Sequence, residues 1–459
     1  MDNEQDLMLP KVLAWPDARP AGRNLILLTL CLAVLLVQVD TSLVNLAVHN
    51  IGVALSAPIN MLQWTVDGYN LTYALLLLSG GTLADILGRR RIFRLGVWGF
   101  TLGSVVSGLA PDVAVLILGR VVSGIGAAFL LPSTLSLIRV IWADPRQRAH
   151  AIGIWAGANG VAFVIGPTLG GFLISIAGWR SIFLLIIPLG LLLGWLARIL
   201  PESADREGRK LDLPGQLLAA LGIASLAMAV VEHGELAGWC AGLSVLSLTG
   251  FLMAERRAGD AAMMPLTLLR NRILTGAMGV AAAMTFGMYG LVFLLPLAWM
   301  QAGTLSAVRV GIALLPMSLA FAILSHKSGA WSHRHGVRAL MTGGLGLIGA
   351  GIGTLSCTHA GSPIWLSEIG LLLTGIGMAL NTGPVLSVAV TAVAPTRAGT
   401  ASALVNMARM MGATFGVAVL GAAYDAAGMG SHGFTLAMRI GAAVAFAGAV
   451  LAMRVVRGT

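Results

Sequence analysis

Long apolar stretches alternate with short polar segments along nearly the whole chain. A helix that crosses a membrane needs about 20 mostly apolar residues, within a range of about 17–25. Searching for stretches of this length, each bounded by charged residues or by Pro and Gly turns, predicts fourteen membrane-spanning helices. The predicted spans are 25–45, 61–81, 92–110, 113–138, 149–176, 181–200, 213–231, 237–253, 273–300, 308–324, 337–357, 364–393, 399–424 and 434–456.

The composition indicates the same class of protein. Charged residues make up 10 % of the 459 residues, whereas soluble globular domains carry about 25 %. Hydrophobic residues reach 57 % and the mean hydropathy is +0.88. Because so little polar surface cannot enclose this core in water, we expect an all-α polytopic membrane protein. No small-residue cleavage site follows the first span, which predicts an uncleaved helix rather than a signal peptide.

The distribution of basic residues predicts the orientation in the membrane. If the N-terminus is cytoplasmic, 24 of the 29 Lys and Arg residues fall in inner segments, and only Arg180 and Arg309 fall in outer loops. Cytoplasmic segments of membrane proteins carry such an excess. We therefore expect both termini in the cytoplasm and the protein in the bacterial inner membrane. The net charge of +10 is spread over these short runs, so nucleic acid is not an expected partner.

Several features recur at a nearly constant spacing. Residues 81–90 read G-T-L-A-D-I-L-G-R-R, and residues 329–338, G-A-W-S-H-R-H-G-V-R, repeat their Gly, Gly and Arg positions 248 residues later. Other matching positions, 251, 251 and 249 residues apart, are Gly124 with Gly375, Gly126 with Gly377 and Arg148 with Arg397. Paired halves of this kind let secondary transporters alternate access to a central site. The predicted division is a cytoplasmic tail at 1–24, a six-helix bundle at 25–200, a linker with two extra transmembrane helices at 201–272, and a second six-helix bundle at 273–459.

Short motifs occur in order at particular helices. Span one contains D-T-S-L-V-N at 40–45, span four contains R-V-V-S-G-I-G at 120–126, and span five contains G-P-T-L-G-G at 166–171. With residues 81–90, Trp179-Arg180 and L-P-E-S at 200–203, they resemble the signatures of the major facilitator superfamily, in its fourteen-helix drug:proton antiporter branch. Two positions depart from that pattern: Ile86 replaces a basic residue, and Ser123 replaces a Gln.

The resemblance implies two structural devices. One is a conformational latch loop formed by Gly81, Asp85, Gly88, Arg89 and Arg90. By family analogy, its carboxylate accepts from the exposed N–H groups of a neighbouring helix start and holds the two halves together when the inner side is closed; alternatively, the arginines only anchor the topology. The other device is an antiporter helix motif formed by Gly166, Pro167, Gly170 and Gly171, where small residues also allow close helix packing.

Ionisable side chains at membrane depth are costly, so each is a functional hypothesis. Asp40 lies about 15 Å from the outer end of span one and Arg120 about 10 Å into span four, at 1.5 Å per residue, with Asp67 at similar depth in span two. Burial and a nearby arginine shift the pKa of a carboxyl in opposite directions. The hypothesis is that Asp40 carries the coupled proton, Arg120 tunes it and Asp67 assists or contacts substrate. The alternative is a permanent ion pair that holds helices one and four together.

Polar and aromatic side chains in the spans provide candidates for a substrate cavity. They are Gln63, Trp64, Tyr69, Asn70, Trp155, Asn159, Phe286, Tyr289, Phe293, Asn406 and Arg409. An aromatic cavity would suit flat or cationic molecules, although core packing or lipid contact explains any single aromatic residue as well. Arg409 either binds a substrate anion or caps polar groups of the packed half. On helix one, Gln38, Thr41, Ser42 and Asn45 form a stripe nearly opposite Asp40, and the sequence leaves open which face meets substrate.

No phosphate-binding loop and no zinc-protease or serine-hydrolase motif occurs in the sequence, and the three cysteines signal neither a disulfide framework nor a metal site. We therefore expect no enzyme activity, no catalytic or metal site and no cofactor. The expected function is export of small lipophilic or cationic compounds, as in drug efflux, in exchange for protons by a monomer in the bilayer. The alternatives are a proton-coupled exporter of one endogenous metabolite and a membrane sensor or scaffold that transports nothing.

Overall fold

The computed structural model describes residues 20–204, 212–232, 234–258, 266–359, 361–394 and 397–455. Most of the predicted 1–24 tail and parts of the 201–272 linker therefore lie outside the described residues. The described part is all-helical, apart from turns and loops. Its helices are α1 Pro20–Leu55, α2 Ile59–Leu87, α3 Arg89–Gly108, α4 Val113–Ile141, α5 Pro145–Ala177, α6 Ser181–Leu196, α7 Leu213–Val231, α8 Glu235–Ala258, α9 Leu266–Leu269, α10 Arg272–Gln301, α11 Ala307–Ala313, α12 Leu315–Ser325, α13 Ser328–His335, α14 Val337–Leu355, α15 Ile364–Thr391, α16 Ala398–Ala426 and α17 Ser431–Val455.

The predicted spans fall on these helices, with one interruption. Span ten, 308–324, is divided into α11 and α12 at Leu314. Pro316 lies in the first turn of α12, and proline has no N–H to continue a helical hydrogen-bond ladder. The break therefore has a local chemical cause, and α11 and α12 together still form one apolar segment, Ala307–Ser325.

Within the described residues, thirteen helical stretches are long and apolar enough to cross a membrane by length and composition. Each predicted span except the third corresponds to one of them. The third span lies in α3, whose first two turns carry Arg89, Arg90, Arg91 and Arg94. These charges shorten the apolar part of a 20-residue helix. The structure thus confirms an all-α polytopic membrane protein, while the count of fourteen and the location of the termini remain predictions.

Glycines of the internal repeat lie at equivalent helix contacts. A Cβ at Gly124 of α4 would collide with the backbone of α2, and one at Gly126 with the backbone of α3. In the second half, a Cβ at Gly375 of α15 would collide with the backbone of α12, and one at Gly377 with that of α14. The fourth predicted helix of each half therefore packs closely against the second and third of the same half, as a repeated architecture requires.

The two halves meet mainly along two seams, with further contacts of α5 with α12 and of α1 with α10. The end of the bundle where α1 ends and α2 begins is here called the distal end. In one seam α5 packs against α11, and in the other α2 packs against α16. Helices α7 and α8 pair with each other, and α7 contacts both α2 and α16. An apolar cluster that includes Leu71 of α2, Ile223 and Ala227 of α7 and Phe415 of α16 fills this contact. The inserted hairpin therefore lies beside the α2–α16 seam.

Candidate functional site

Asp40 and Arg120 form a buried ion pair between α1 and α4. Arg120 Nη1 donates to Asp40 Oδ2 over 2.7 Å, and each side chain is 1 % exposed. Arg120 Nε also donates to the carbonyl of Thr65 in α2 over 3.1 Å. The guanidinium lies 4.5 Å from the ring centre of Tyr69 and 5.9 Å from that of Phe183 in α6. A charge at membrane depth is tolerated when it is paired and hydrogen-bonded in this way.

Asp67 is separate from this pair, although the sequence places it at a similar depth. Its side chain is fully buried, and neither carboxylate oxygen has a hydrogen-bond partner among the described residues. One turn away, Gln63 Nε2 donates to the carbonyls of Val417 and Ala418 in α16, over 3.1 and 2.8 Å. Asn70, one turn further along the same stripe, is also fully buried with both amide atoms unpaired among the described residues. Gln63 thus connects α2 to α16. It shares a stripe of α2 with Asp67 and Asn70, whose polar atoms have no partner among the described residues.

A narrow cavity, here the central cavity, lies between the two halves. The volume open to the centre of a water molecule is about 20 Å³. The cavity therefore has room for little more than one water. The polar stripe of α1 faces it, so Asp40 and this stripe use opposite faces of one helix. Its lining residues are Gln38, Thr41, Ser42, Asn45, Leu46, Phe163, Pro167, Met288, Tyr289, Val292, Leu314, Met317 and Ser318.

Of the predicted cavity candidates, Tyr289 is the one among the described residues that lines the central cavity. Tyr69 covers the guanidinium of Arg120 and Phe293 is fully buried in the core, so their place in a substrate cavity stays a prediction. Trp155 Nε1 donates to Thr134 Oγ1 of α4 over 3.0 Å. Trp64 Nε1 donates to Glu232 Oε1, beyond α7, over 3.3 Å. Residue type alone does not indicate which face of a helix meets the cavity.

The remaining candidates are partly buried. Phe286 packs against Gly416 of α16, where its backbone would meet any added Cβ. Asn159 lies in α5, and Asn406 Nδ2 donates to the Ser402 carbonyl of its own helix over 3.0 Å. Arg409, one turn beyond Asn406, has a buried Nε without a hydrogen-bond partner among the described residues.

The latch loop is bound to the segment that follows α6. Asp85 Oδ1 accepts from Arg89 over 2.8 Å, and the backbone N–H of Arg89 donates to the Ser203 carbonyl over 2.8 Å. The carboxylate that caps the first turn of α3 is that of Glu202, whose Oε1 accepts from the backbone N–H of Arg90 over 3.1 Å. Sequence reasoning missed Glu202 as a latch residue and treated L-P-E-S only as part of the resemblance. The sequence signal that could have identified this role is the pair of polar residues, Glu202 and Ser203, directly after a long apolar span.

Two glycines of the latch loop differ in their surroundings. Gly88 has a φ of 111°, and an added Cβ would lie 2.6 Å from Glu202 Oε1. The positive φ strains any residue that carries a Cβ, and the Glu202 carboxylate would have to move aside to make room for it. At Gly81, an added Cβ would lie 3.7 Å from Pro132 of α4, an ordinary contact. Gly88 is therefore required by its geometry, whereas the described contacts of Gly81 allow a small side chain.

The antiporter helix motif lies at the contact of α5 with α1 and α11. Added Cβ atoms at Gly166 and Gly170 would collide with Ser42 and Leu43 of α1. An added Cβ at Gly171 would lie 2.6 Å from the Ala307 carbonyl, and one at Gly311 would collide with the Pro167 carbonyl. The motif thus brings backbones of the two halves together at the distal end.

The sequence and the helix arrangement have counterparts in known proteins. A sequence profile described as the Major Facilitator Superfamily matches residues 30–417. The chain belongs to this superfamily. It is a multi-pass membrane transporter of the superfamily, and the fold resembles solved members although their sequences have diverged.

Curated relatives and solved structures agree with this membership. The chain is 36 % identical over 399 residues to "Multidrug resistance protein Stp" of Mycobacterium tuberculosis (strain ATCC 25618 / H37Rv), covering 85 % of this chain and 74 % of that protein. It is 31 % identical over 402 residues to "Methylenomycin A resistance protein" of Streptomyces coelicolor, covering 86 % and 84 %. A bacterial homologue of the human lysosomal transporter Spinster, inward-facing and unoccupied, superposes with a TM-score of 0.69 at 19 % identity, covering 95 % and 97 %. The resemblance to the drug-efflux branch of this superfamily is confirmed.

Proposed function

We propose that this transporter exports small lipophilic compounds from the bacterial cytoplasm across the inner membrane in exchange for protons. The observation that carries the proposal is the Asp40–Arg120 pair, a titratable group buried at membrane depth with its counter-charge. Relatives named for multidrug resistance and for methylenomycin A resistance support the choice of substrate class. Neither an enzyme reaction nor a resident cofactor is part of the proposal.

The two faces of α1 provide a route for coupling. Asp40 is directed at Arg120 of α4, and the next residue, Thr41, belongs to the stripe that lines the central cavity. A proton on Asp40 removes the negative charge that holds the guanidinium, which leaves a weaker hydrogen bond between them. Helix α1 can then shift relative to α4, and the same shift moves the cavity stripe on its opposite face. The proton on Asp40 and the substrate in the central cavity thereby act on the position of the same helix, so that binding of one disfavours binding of the other.

Alternating access requires the distal seams to separate. The α2–α16 seam is held in part by Gln63, and Asp67 lies on the same stripe of α2. An ionised carboxylate is strongly unfavourable in such a buried setting without a partner. Opening this seam would give Asp67 access to water, and closing it would remove that access. We therefore assign Asp67 a supporting role in proton transfer and Asp40 the principal one.

The coupling test uses everted membrane vesicles. A proton gradient is established across their membrane, and gradient-driven movement of a neutral fluorescent dye is measured. Asp40→Asn is expected to abolish gradient-driven dye transport while the protein is still inserted at wild-type amount. Asp67→Asn is expected to reduce the rate several-fold without abolishing transport. Glu235→Gln, which changes an exposed acid at the start of α8, is the matched control and should transport normally.

The outcomes separate the alternatives. Dye transport that collapses with the gradient supports proton exchange. Full gradient-driven transport by Asp40→Asn contradicts the assignment of Asp40, and would move the principal role to Asp67 if that variant is inactive. Transport of a single metabolite and no other compound favours a dedicated exporter, and no transport of any compound favours a sensor or scaffold.

We propose in addition that α3 is the fourteenth membrane crossing and that both termini are cytoplasmic. Helix α3 has its most extensive contact with α4, where added Cβ atoms at Gly96, Gly103, Gly119 or Gly126 would collide with the facing backbone. Such close packing along most of a 20-residue helix supports a full crossing beside α4. The four arginines at its start then lie on the cytoplasmic side, as the basic loops predict.

A further inference from the structure

The central cavity is lined by polar side chains from both halves of the molecule. They are Gln38, Thr41, Ser42 and Asn45 of α1, Tyr289 of α10 and Ser318 of α12. None of the described lining residues carries a charged side chain, and the Asp40–Arg120 pair on the other face of α1 neutralises itself. A charge at membrane depth is costly without a counter-charge. The cavity is therefore suited to a neutral polar group.

The three aliphatic hydroxyl groups of this lining already donate their hydrogens within their own helices. Thr41 Oγ1 and Ser42 Oγ each donate to the carbonyl four residues earlier in α1, over 3.0 and 3.1 Å. Ser318 Oγ donates to the Leu314 carbonyl over 3.1 Å. A hydroxyl has one hydrogen and two acceptor lone pairs. Each of the three groups is therefore left as an acceptor for any further partner.

Asn45 adds a fourth acceptor to the lining. Its Nδ2 donates to the Thr41 carbonyl over 2.9 Å. Its Oδ1 is buried and has no hydrogen-bond partner among the described residues, and the residue is 2 % exposed. A buried acceptor that lacks a partner is costly. Gln38 and Tyr289 carry both donors and acceptors, so the lining as a whole is richer in free acceptors than in free donors.

We propose that the central cavity selects neutral lipophilic substrates that carry a hydroxyl or N–H group, which donates to Asn45 Oδ1 beside the hydroxyl oxygens of Thr41 and Ser42. These three residues share one face of α1. This inference rests on the proposed export function and specifies its substrate class. The cavity as described has room for the donor group alone, so the apolar body of a substrate enters when the halves move apart.

The same lining disfavours two other classes of compound. An ionised carboxylate has no hydrogen to donate and meets mainly acceptors. A quaternary ammonium ion also has no N–H hydrogen, and it finds no counter-charge among the described lining residues. The expectation of cationic compounds, which came from aromatic residues in the spans, is therefore replaced by one of neutral hydrogen-bond donors.

The test measures binding, separately from transport. Purified protein in lipid nanodiscs is titrated with 1-pyrenebutanol and with its methyl ether, which keeps the ring, chain and oxygen but has no hydrogen to donate. Empty nanodiscs give the background from partition into lipid. A hydrogen bond between neutral groups changes affinity by about threefold to tenfold, so wild-type protein should bind the alcohol more tightly by that factor. Asn45→Leu, which removes the acceptor at similar volume, should bring the alcohol-to-ether ratio close to one.

Two further variants make the result specific. Thr41→Val keeps the shape of the side chain and removes one acceptor, so it should lower the ratio even if Asn45→Leu fails to fold. Thr29→Val is the matched control, because Thr29 Oγ1 makes the same kind of bond in α1, to the Leu25 carbonyl over 2.8 Å, away from the cavity lining. It should leave the ratio unchanged.

A wild-type ratio near one, or a high ratio that survives both Asn45→Leu and Thr41→Val, overturns the proposal and leaves a resident water as the partner of these acceptors. Neutral-dye export in the vesicle assay is a separate measurement. Its failure refutes the proposed transport, whereas a preference for the alcohol that depends on Asn45 still establishes the site.

Discussion

At the scale of single residues, Arg120 shows how one side chain can remain charged within the membrane and join several helices. It contacts Asp40 of α1, the Thr65 carbonyl of α2 and the ring of Phe183 in α6 while it belongs to α4. Removing one partner of such a pair leaves the other as a buried charge, which is more damaging than losing both. In the proposed mechanism, the pair therefore stabilises the helix contacts while Asp40 is ionised and is released when Asp40 is protonated.

Gly88 is a position where a single added carbon should disturb the latch loop. Gly88→Ala places a Cβ at a φ of 111° and against the Glu202 carboxylate. Strained backbone positions of this kind cost about 1–3 kcal/mol. We expect a lower melting temperature in detergent and slower dye export. Gly153→Ala is the control, because nothing lies within 4 Å of its added Cβ; equal losses in the two variants would contradict the geometric explanation.

The residues of the site could be predicted from the sequence to different extents. Counting residues along each span placed Asp40 and Arg120 at one depth, because the rise of a helix is fixed, and the structure pairs them. The same count placed Asp67 nearby, but it forms no hydrogen bond or ion pair with Arg120 among the described residues, since helical rotation relative to neighbouring helices is set by packing. Tyr69 and Phe293 were assigned to a cavity by residue type, and their burial depends on contacts distant in sequence.

At the scale of helices, the length and bounds of most elements follow from hydrophobic patterning, whereas their contacts do not. The break between α11 and α12 was not predicted, because apolar residues continue through it and only Pro316 marks it. The role of Glu202 as a cap for α3 joins residues 112 positions apart. Such pairings depend on the fold as a whole and have no local pattern.

Close backbone contact in the α5–α11 seam leads to a prediction about access to the cavity. Gly311→Ala adds a Cβ that collides with the Pro167 carbonyl. The collision is relieved only when the two backbones move apart, which widens the seam. We expect this variant to favour a conformation that is open at the distal end. In a background with all three cysteines replaced by serine, a cysteine introduced at Ser318, which lines the central cavity, should then react faster with a maleimide from that side.

Gly346→Ala is the matched control for this seam, because nothing lies within 4 Å of its added Cβ in α14. It should leave the labelling rate at Ser318→Cys unchanged. If Gly311→Ala also leaves the rate unchanged, or lowers it, the α5–α11 contact does not restrain opening. Export by Gly311→Ala should fall, since a transporter held in one conformation cannot complete its cycle.

At the scale of the whole molecule, the inserted hairpin lies beside the α2–α16 seam, one of the two main seams between the halves. Helix α7 contacts α2 and α16, one from each half, and Glu232 accepts from Asn60 and Trp64 near the distal end of α2. The hairpin is thus attached to the first half by hydrogen bonds and to both halves by apolar packing. When α2 and α16 move relative to each other, α7 must therefore slide along one of them or move with it.

The proposed topology also depends on whether α3 crosses the membrane, and its two ends allow a direct test. Arg91 near its start and Pro111 just beyond its end are both exposed. In the cysteine-free background, Arg91→Cys should react with a membrane-impermeant maleimide only in everted vesicles, and Pro111→Cys only in intact spheroplasts. Native Cys357, exposed beyond α14, should also react in spheroplasts, with Cys357→Ser as its control. Reaction of Arg91→Cys and Pro111→Cys from the same side would show that α3 does not cross, and would leave thirteen spans with the termini on opposite sides.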